Sequence, residues 1–120
     1  MAGSRKERVA AALRDELAEL IVREIKDPRI HAAGLLTVTQ VKLVDDLRVA
    51  TVLVSFVGGS DEAATAAIVA LGAAAGFLRG EVARRLTLRR APELRFLHDR
   101  SAAAVARIDA LLRGDGGDDG

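Results

Sequence analysis

Six arginines between Phe77 and Arg95 are the residues of this sequence best suited to binding a charged partner. They are Arg79, Arg84, Arg85, Arg89, Arg90 and Arg95. The same stretch contains only two carboxylates, Glu81 and Glu93. A local excess of guanidinium groups attracts polyanions, although arginine-rich surfaces that only contact solvent are also common. The stretch therefore indicates a nucleic-acid surface without establishing one.

The acidic end of the chain lowers the net charge and so hides this local basic character. The 120 residues have a net charge of +1, and residues 114–120 contain three aspartates and no base. Removing those three negative charges leaves +4 on residues 1–113. We expect residues 114–120 to be disordered, because a Gly/Asp sequence buries no apolar surface. Their two G-x-x-G matches are not expected to bind phosphate, since acids surround them.

Residue types that most enzymes and metal sites require are missing or badly placed. The sequence has no cysteine, which excludes disulfides and thiolate nucleophiles. His31 and His98 form no HxH or HxxxH pair, so ordinary turn histidines are the favoured interpretation. No serine lies in a G-x-S-x-G elbow, and no nucleotide-binding fingerprint occurs. We predict a protein that is not an enzyme, with no cofactor, no metal and no small-molecule substrate.

Ala74-Ala75-Gly76, between two predicted helices, is a second feature that suits a phosphate. Glycine at such a junction permits a sharp bend and the close approach of another backbone. The N-terminus of the following helix presents free N–H groups, with Arg79 in its first turn. A bend that only lets two helices pack explains the same residues, and from these residues alone it is slightly favoured.

The N-terminal half of the chain predicts a helix followed by a β-hairpin. Ser4 and Glu7 have capping-box spacing, and the apolar spacing behind them predicts an amphipathic helix over residues 5–26 that Pro28 ends. Residues 36–43 and 48–56 are β-branched and partly alternating, which predicts two strands. The turn between them is assigned to Asp45-Asp46. The alternation slips near Gln40, where a β-bulge would explain it.

The C-terminal half predicts two consecutive helices, a strand and a last helix. Ser60 or Asp61 caps an alanine-rich helix to about residue 75, and a second helix follows to about residue 86 or 88. Residues 94–98 suggest a third strand. Ser101 caps a final helix whose inward-facing residues are predicted to be Val105, Ile108, Leu111 and Leu112. Helices on one face of a three-stranded sheet make an α+β fold.

No apolar run is long enough to cross a bilayer, so a soluble protein without a membrane partner is expected.

Several short segments carry a resemblance to a known family. In chain order they are Glu24-Ile25-Lys26-Asp27-Pro28-Arg29, Thr37-Val38-Thr39-x-Val41, Asp46-Leu47-x-x-Ala50-x-Val52, Gly76-Phe77-Leu78-Arg79-Gly80-Glu81, Pro92-Glu93-Leu94-Arg95-Phe96 and Asp99-x-Ser101. Each segment is weak alone, but the ordered set is specific. The chain resembles the ribosome-binding factor A family over residues 5–113.

That resemblance implies a type II KH-like domain over residues 1–113, with helix–strand–strand–helix–kink–helix–strand order and a C-terminal helix. An Ala-x-Gly kink replaces the G-x-x-G loop in this family, and Ala74-Ala75-Gly76 fits that replacement. The implied partner is the free 30S small ribosomal subunit, through 16S rRNA, in late maturation. Support of 5′-end processing of 16S rRNA, cold adaptation, a cytoplasmic location and a monomeric state are implied as well. Val44 departs from the serine that is frequent there, and the acidic end replaces the basic extension of some members, which leaves the role of residues 114–120 open.

The expected RNA-binding surface combines the kink, the arginines that follow it and the cations that begin the first helix. Its residues are Ala74, Ala75, Gly76, Arg79, Arg84, Arg85, Arg89, Arg90, Arg5, Lys6 and Arg8. A helix-turn-helix DNA-binding protein using residues 61–88 is one alternative, although no Asn, Gln or Lys lies between Phe77 and Arg90 to contact bases. A protein-interaction module built on the alanine-rich helix is the other.

Overall fold

Helices packed on one face of a three-stranded sheet form the fold in the computed structural model, which describes residues 4–101 and 111–112. In chain order the elements are α1 (Arg5–Glu24), α2 (Pro28–Ala32), β1 (Gly34–Leu43), β2 (Val49–Gly58), α3 (Asp61–Ala73), α4 (Ala75–Arg85) and β3 (Glu93–His98). β1 is antiparallel to the central strand β2, and β3 is parallel to it. The predicted α+β architecture is confirmed.

The first helix begins as predicted and ends slightly earlier. Ser4 and Glu7 form the capping box, each side chain accepting a hydrogen bond from the other residue's backbone N–H. α1 ends at Glu24, two residues before the predicted end, and Ile25 follows in an extended conformation. The buried face of α1 carries Leu13, Leu17, Leu20 and Ile21. These residues form one side of the hydrophobic core.

A short helix that the sequence analysis missed follows Asp27. Pro28 was expected only to end the first helix, but it is also the first residue of α2. Proline suits that position because its fixed φ is helical and its missing N–H is not needed there. The Asp27 carboxylate caps α2 by accepting from the backbone N–H of Arg29. Hydrogen bonds from the Arg29 side chain and backbone lower the pKa of Asp27 to about 2.

The hairpin contains the β-bulge that was considered near Gln40. The register of β1 against β2 shifts between Val38 and Gln40, which leaves Thr39 as the extra residue. Thr39 Oγ1 lies 3.1 Å from the Leu53 carbonyl oxygen and 2.7 Å from Asp99 Oδ2. Hydrogen bonds from Ser101 and then from Thr39 lower the pKa of Asp99 to about 2. The bulge residue Thr39 therefore holds Asp99, the first residue after β3, by a hydrogen bond.

Two glycines close the open end of the hairpin. β1 begins at Gly34, two residues before the predicted start, and Gly34 pairs with Gly58 at the end of β2. Both have positive φ, 103° and 101°. A Cβ added to Gly34 would lie 2.2 Å from the Val57 carbonyl oxygen, whereas one added to Gly58 would meet nothing within 4 Å. The chain therefore requires glycine at position 34 for both conformation and space.

The core fills the space between the helices and one face of the sheet. Alternate strand residues are buried there: Val38, Val41, Leu43, Ala50, Val52, Val54, Leu94 and Phe96. Of the three phenylalanines only Phe96 is buried, so aliphatic side chains and alanine supply nearly all of the core. Ala64, Ala67, Ala70 and Leu71 are the buried residues of α3, and their small size allows α3 to approach its neighbours closely.

Most of the predicted final helix lies outside the described residues, as do Val105, Ile108 and residues 114–120. Leu111 and Leu112 are described, and they are 59% and 80% exposed. The prediction that these two leucines face inward is therefore wrong. Their spacing matched a helical apolar face, but such spacing does not show whether a partner surface covers that face.

Substituting Gly34 and Gly58 separately should distinguish the cost of strained φ from the cost of a steric clash. Gly58→Ala should lower the free energy of unfolding by about 1–2 kcal/mol, because alanine disfavours positive φ. Gly34→Ala should cost at least about 2 kcal/mol more, since its Cβ also collides with the Val57 carbonyl oxygen. Urea unfolding followed by circular dichroism measures both. Equal losses of unfolding free energy in the two variants would contradict the predicted clash at Gly34.

Candidate nucleic-acid interface

The helix break lies at the first residue of the predicted Ala74-Ala75-Gly76 junction and not at its glycine. α3 ends at Ala73, α4 starts at Ala75, and the two helix axes are bent by 59°. Ala74 forms the junction, with φ of −90° and ψ of 0°, and it provides no side-chain cap for α4. Gly76 lies within α4 and is exposed, and a Cβ on it would meet nothing within 4 Å. Gly76 is therefore not needed for the bend, and its open side faces away from the fold.

An open groove of about 420 Å³ lies beside this bend. Ala70, Ala73, Ala74 and Phe77 line one side, and residues 24–27 at the end of α1 line the other. Phe77 is 49% exposed, which is unusual for a large aromatic side chain in a small fold. Lys26 is the only cation among the residues lining the groove, and its Nζ donates a hydrogen bond to the Arg23 carbonyl oxygen.

Arg79 lies one turn after the bend and lines a different cleft. Its Nε donates a hydrogen bond to the Ala91 carbonyl oxygen at 3.0 Å, and Arg79 forms no ion pair with a carboxylate among the described residues. The cleft measures about 860 Å³ and is also lined by Arg48 and Arg90. Asp45, Asp46 and Glu93 line it as well. Asp45 pairs with Lys6, Asp46 with Arg48 and Glu93 with Arg95, which leaves Arg79 and Arg90 as the uncompensated charges.

Arg84 and Arg85 are ion-paired within the fold. Arg84 Nη2 lies 2.6 Å from Glu81 Oε2, and Arg84 remains 70% exposed. Arg85 is 34% exposed and reaches across to α1, where Nη1 lies 3.3 Å from Glu19 Oε1 and 3.5 Å from Glu16 Oε1. Its Nε is 3.8 Å from Glu81 Oε1. Arg85 thus joins α4 to α1, although the sequence analysis assigned it to RNA, and that assignment stays a prediction.

Arg89 and Arg90 are exposed in the loop between α4 and β3. In the described part of the chain neither forms an ion pair with a carboxylate. The loop leaves α4 through a Schellman turn, in which the Leu88 N–H donates to the Ala83 carbonyl and the Thr87 N–H to the Arg84 carbonyl. Thr87 occupies the left-handed position with φ of 55°, where glycine is usual. Arg90 lines the same cleft as Arg79, and Arg89 is its neighbour in the chain.

Arg5, Lys6 and Arg8 occupy the first turns of α1, close to that loop. Lys6 Nζ lies 2.8 Å from Asp45 Oδ1, and this hydrogen bond raises the pKa of Lys6 and lowers that of Asp45. Arg5 and Arg8 line a pocket together with Leu86 and Leu88. The cations of α1 and those of the α4–β3 loop therefore lie at the same end.

The structure divides the predicted interface into two groups. The cationic end contains Arg5, Lys6, Arg8, Arg79, Arg89 and Arg90. The bend with Ala74, Ala75 and Gly76 lies beside the opposite end of α1. Seventeen residues of chain separate Arg8 from Ile25, which corresponds to roughly 25 Å of helix. Arg79 lies only five positions after Ala74, so it is a partner contacting the bend together with Arg5 and Arg8 that must extend along α1.

Two cations of this surface were not predicted. Arg48 lines the cleft of Arg79, and Lys26 lines the groove at the bend. Both lie next to turn residues that were noticed only for their backbone role. Their proximity to the predicted residues depends on contacts that are distant in sequence, so counting charges along the chain could not find them.

Comparisons with known proteins identify the family of this chain. The family model for ribosome-binding factor A matches residues 5–112. The chain belongs to the ribosome-binding factor A family. A ribosome-binding factor A from Desulfitobacterium hafniense is 46% identical over 114 residues, covering 95% of this chain and 88% of the relative. One from Geobacter sulfurreducens is 44% identical over 110 residues, covering 92% of this chain and 90% of the relative.

Solved structures of the family show the same fold. The crystal structure of ribosome-binding factor A from Thermus thermophilus is 38% identical, with a TM-score of 0.68 over 80% of this chain and 97% of that chain. Thermus thermophilus coordinates fitted into a cryo-EM map of a complex with 30S are 37% identical, with a TM-score of 0.62 over 77% of this chain and 92% of that chain. The fold is KH-like.

The helix-turn-helix alternative fits the geometry less well. Such motifs join their helices by a turn of three or four residues at about 90–120°. Here the single residue Ala74 separates α3 from α4, which is shorter than such a turn. Among the described residues no single helix meets the length and apolarity needed to cross a membrane, and α3 and α4 meet them only when taken together. The same part of the chain contains no group of three potential metal ligands.

Neutralising Arg85 and Arg84 separately tests the structural role assigned to Arg85. Arg85→Gln should lower the free energy of unfolding by about 1 kcal/mol, because it removes the ion pairs that join α4 to α1. Arg84→Gln removes the same charge from an exposed pair within α4 and should cost less than about 0.5 kcal/mol. Urea unfolding at low and high salt provides the measurement. A cost for Arg84→Gln as large as that for Arg85→Gln would contradict the assignment.

Proposed function

We propose that this chain binds the free 30S ribosomal subunit through 16S rRNA during late maturation, as a binding factor and not as an enzyme. The observation that carries the proposal is the presence of Arg79, Arg89 and Arg90 at one end of a KH-like fold, with no carboxylate partner among the described residues. The fitted 30S complex of the Thermus thermophilus relative supports the choice of partner.

Phosphate and shape are the features of RNA that this surface suits. The three arginines lie on α4 and on the loop after it, so they do not form one straight row that would enter a groove. Guanidinium groups spread over a surface contact phosphates of a folded RNA, while sequence readout needs side chains inserted among bases. The bend at Ala74–Gly76 adds an exposed backbone that a sugar–phosphate chain can approach closely, because no side chain projects from Gly76.

The finer roles implied by the family resemblance are part of the same proposal. Binding late in maturation places the factor where it supports 5′-end processing of 16S rRNA by a separate nuclease, and where it matters most in the cold. A cytoplasmic location and a monomeric chain accompany that role. Precursor 16S rRNA should accumulate when the gene is deleted, and more strongly at low temperature. Normal rRNA ends in such cells would remove this part of the proposal.

Neutralising the three uncompensated arginines together should reduce binding to 30S. The variant Arg79→Gln/Arg89→Gln/Arg90→Gln should bind at least about ten-fold more weakly, and the slope of log K against log salt should fall by about 2–3, since each lost phosphate contact contributes about 0.7–0.9. Co-sedimentation with purified 30S over a salt series measures both quantities.

The matched control is Arg14→Gln/Arg23→Gln/Arg100→Gln, which removes the same charge from exposed arginines that pair with carboxylates elsewhere. It should change 30S affinity by less than about two-fold. Similar losses in both triple variants would mean that net charge, and not this surface, drives binding.

Substituting Gly76 tests the contribution of the bend separately. Gly76→Ala should raise the free energy of unfolding by about 0.5–1 kcal/mol, because alanine favours a helix and its Cβ meets nothing. Gly72→Ala, in α3, should stabilise similarly since its site is equally open. Only Gly76→Ala should weaken 30S binding, by about ten-fold, if RNA backbone lies against the bend. Unchanged 30S binding by Gly76→Ala would remove the bend from the interface.

A further inference from the structure

A pocket that shares no lining residue with the Arg79 cleft or the groove at the bend lies between α1 and the turn after α4. Its volume is about 330 Å³. Val9, Ala12, Leu86 and Leu88 supply its apolar surface, and all four are only partly buried. Arg5 and Arg8 complete the lining. The pocket therefore combines an apolar surface with two guanidinium groups.

The Schellman turn at Thr87 gives the pocket its shape. Leu86 and Leu88 flank Thr87, and both line the pocket, because the left-handed φ of 55° at Thr87 reverses the chain between them. A β-branched residue disfavours that conformation. Two backbone hydrogen bonds across the turn, from Leu88 to Ala83 and from Thr87 to Arg84, hold it in place. The two leucines are therefore presented side by side on a fixed backbone.

An occupant that complements this pocket has an apolar part and a negative charge close to it. A nucleotide has both, in its base and its phosphate. In a duplex the faces of a base are covered by its neighbours, so only an unpaired nucleotide can place its base on an apolar surface. The pocket is at the lower end of the range of ligand sites, about 300–1,000 Å³, so it has room for one nucleotide and not for a helix.

We propose that this pocket binds one unpaired nucleotide of RNA, with the base against Val9, Leu86 and Leu88 and the phosphate at Arg5 and Arg8. The inference rests on the proposed function and specifies its substrate, an RNA with a single-stranded segment beside a folded region. The contact is tolerant of sequence, because aliphatic side chains touch the face of the base and do not read its edge. Arg5 and Arg8 belong to both the pocket and the cationic end, so the same RNA strand can contact both.

Filling the pocket tests the proposal with a control one residue away. Ala12→Leu places a larger side chain in the pocket, whereas Ala11→Leu makes the same change at an exposed position of α1 outside the pocket. Fluorescence anisotropy measures the affinity of the full chain for a 12-nucleotide single-stranded RNA of mixed sequence and for the same RNA in a duplex. Ala12→Leu should weaken single-strand binding about five- to ten-fold, while leaving duplex binding within about two-fold. Ala11→Leu should change neither.

A second pair of variants tests the apolar surface itself. Leu88→Gln makes the pocket polar without filling it, and Leu97→Gln changes an exposed leucine of β3 on the opposite face of the sheet. Only the first should weaken single-strand binding. Circular dichroism confirms that each variant is folded before its affinity is compared.

The outcomes separate this proposal from the proposed function. Equal affinities of the Ala12→Leu and Ala11→Leu variants for single-stranded RNA would overturn the nucleotide pocket. Co-sedimentation of the native chain with 30S would still support the proposed function. If Ala12→Leu lost 30S binding but bound both RNAs as before, the pocket would be assigned to a ribosomal protein. That result would overturn the proposal that the pocket binds a nucleotide. A native chain that binds neither RNA nor 30S would overturn both.

Discussion

Burial of α1 against β1 and α4 is the constraint on which the rest of this structure depends. Leu13, Leu17 and Leu20 are fully buried, and each contributes about 1.5–3 kcal/mol by leaving water. α1 also reaches both parts of the candidate interface, with Arg5 and Arg8 at its start and Glu24 at its end. Without this packing the cations of its first turns would have no fixed relation to the α4–β3 loop, and the groove at the bend would lose one side.

Carboxylates decide which of the many arginines remain available to a partner. Arg85 forms ion pairs with Glu16, Glu19 and Glu81, and Glu81 also pairs with Arg84. Glu93 pairs with Arg95 across two residues of β3. These pairs compensate half of the six arginines that made the sequence look basic between residues 77 and 95. The remaining three are concentrated at one end, so the positive potential there is stronger than an even distribution would give.

The sequence predicted the elements well because their signals are local. The capping box at Ser4, the hairpin turn and the Ser60 cap all depend on residues within four positions of each other. α2 was missed because Pro28 signals both the end of one helix and the start of another. The kink was predicted over Ala74-Ala75-Gly76 because glycine is the strongest helix breaker in that stretch, yet Ala74 forms the junction with an ordinary φ that any residue adopts.

The candidate site was harder to predict, because its composition depends on contacts between distant segments. Arg85 reaches Glu19 across 66 positions, and Lys6 reaches Asp45 across 39. No pattern along the chain distinguishes these paired cations from Arg79 or Arg90. The pocket beside Thr87 was invisible for the same reason, since a threonine in the left-handed conformation leaves no signature in the sequence.

The length of α1 has a consequence for selectivity among RNA molecules. A continuous helix of 20 residues holds its two ends at a nearly constant separation, unlike a flexible linker that would adapt to many distances. An RNA gains both contacts at once only when its own folding places suitable strands that far apart, and then the second contact forms without a further search. Under the proposed function, this fixed separation would favour a correctly folded RNA region over a misfolded one of identical sequence, by the spacing of its strands alone.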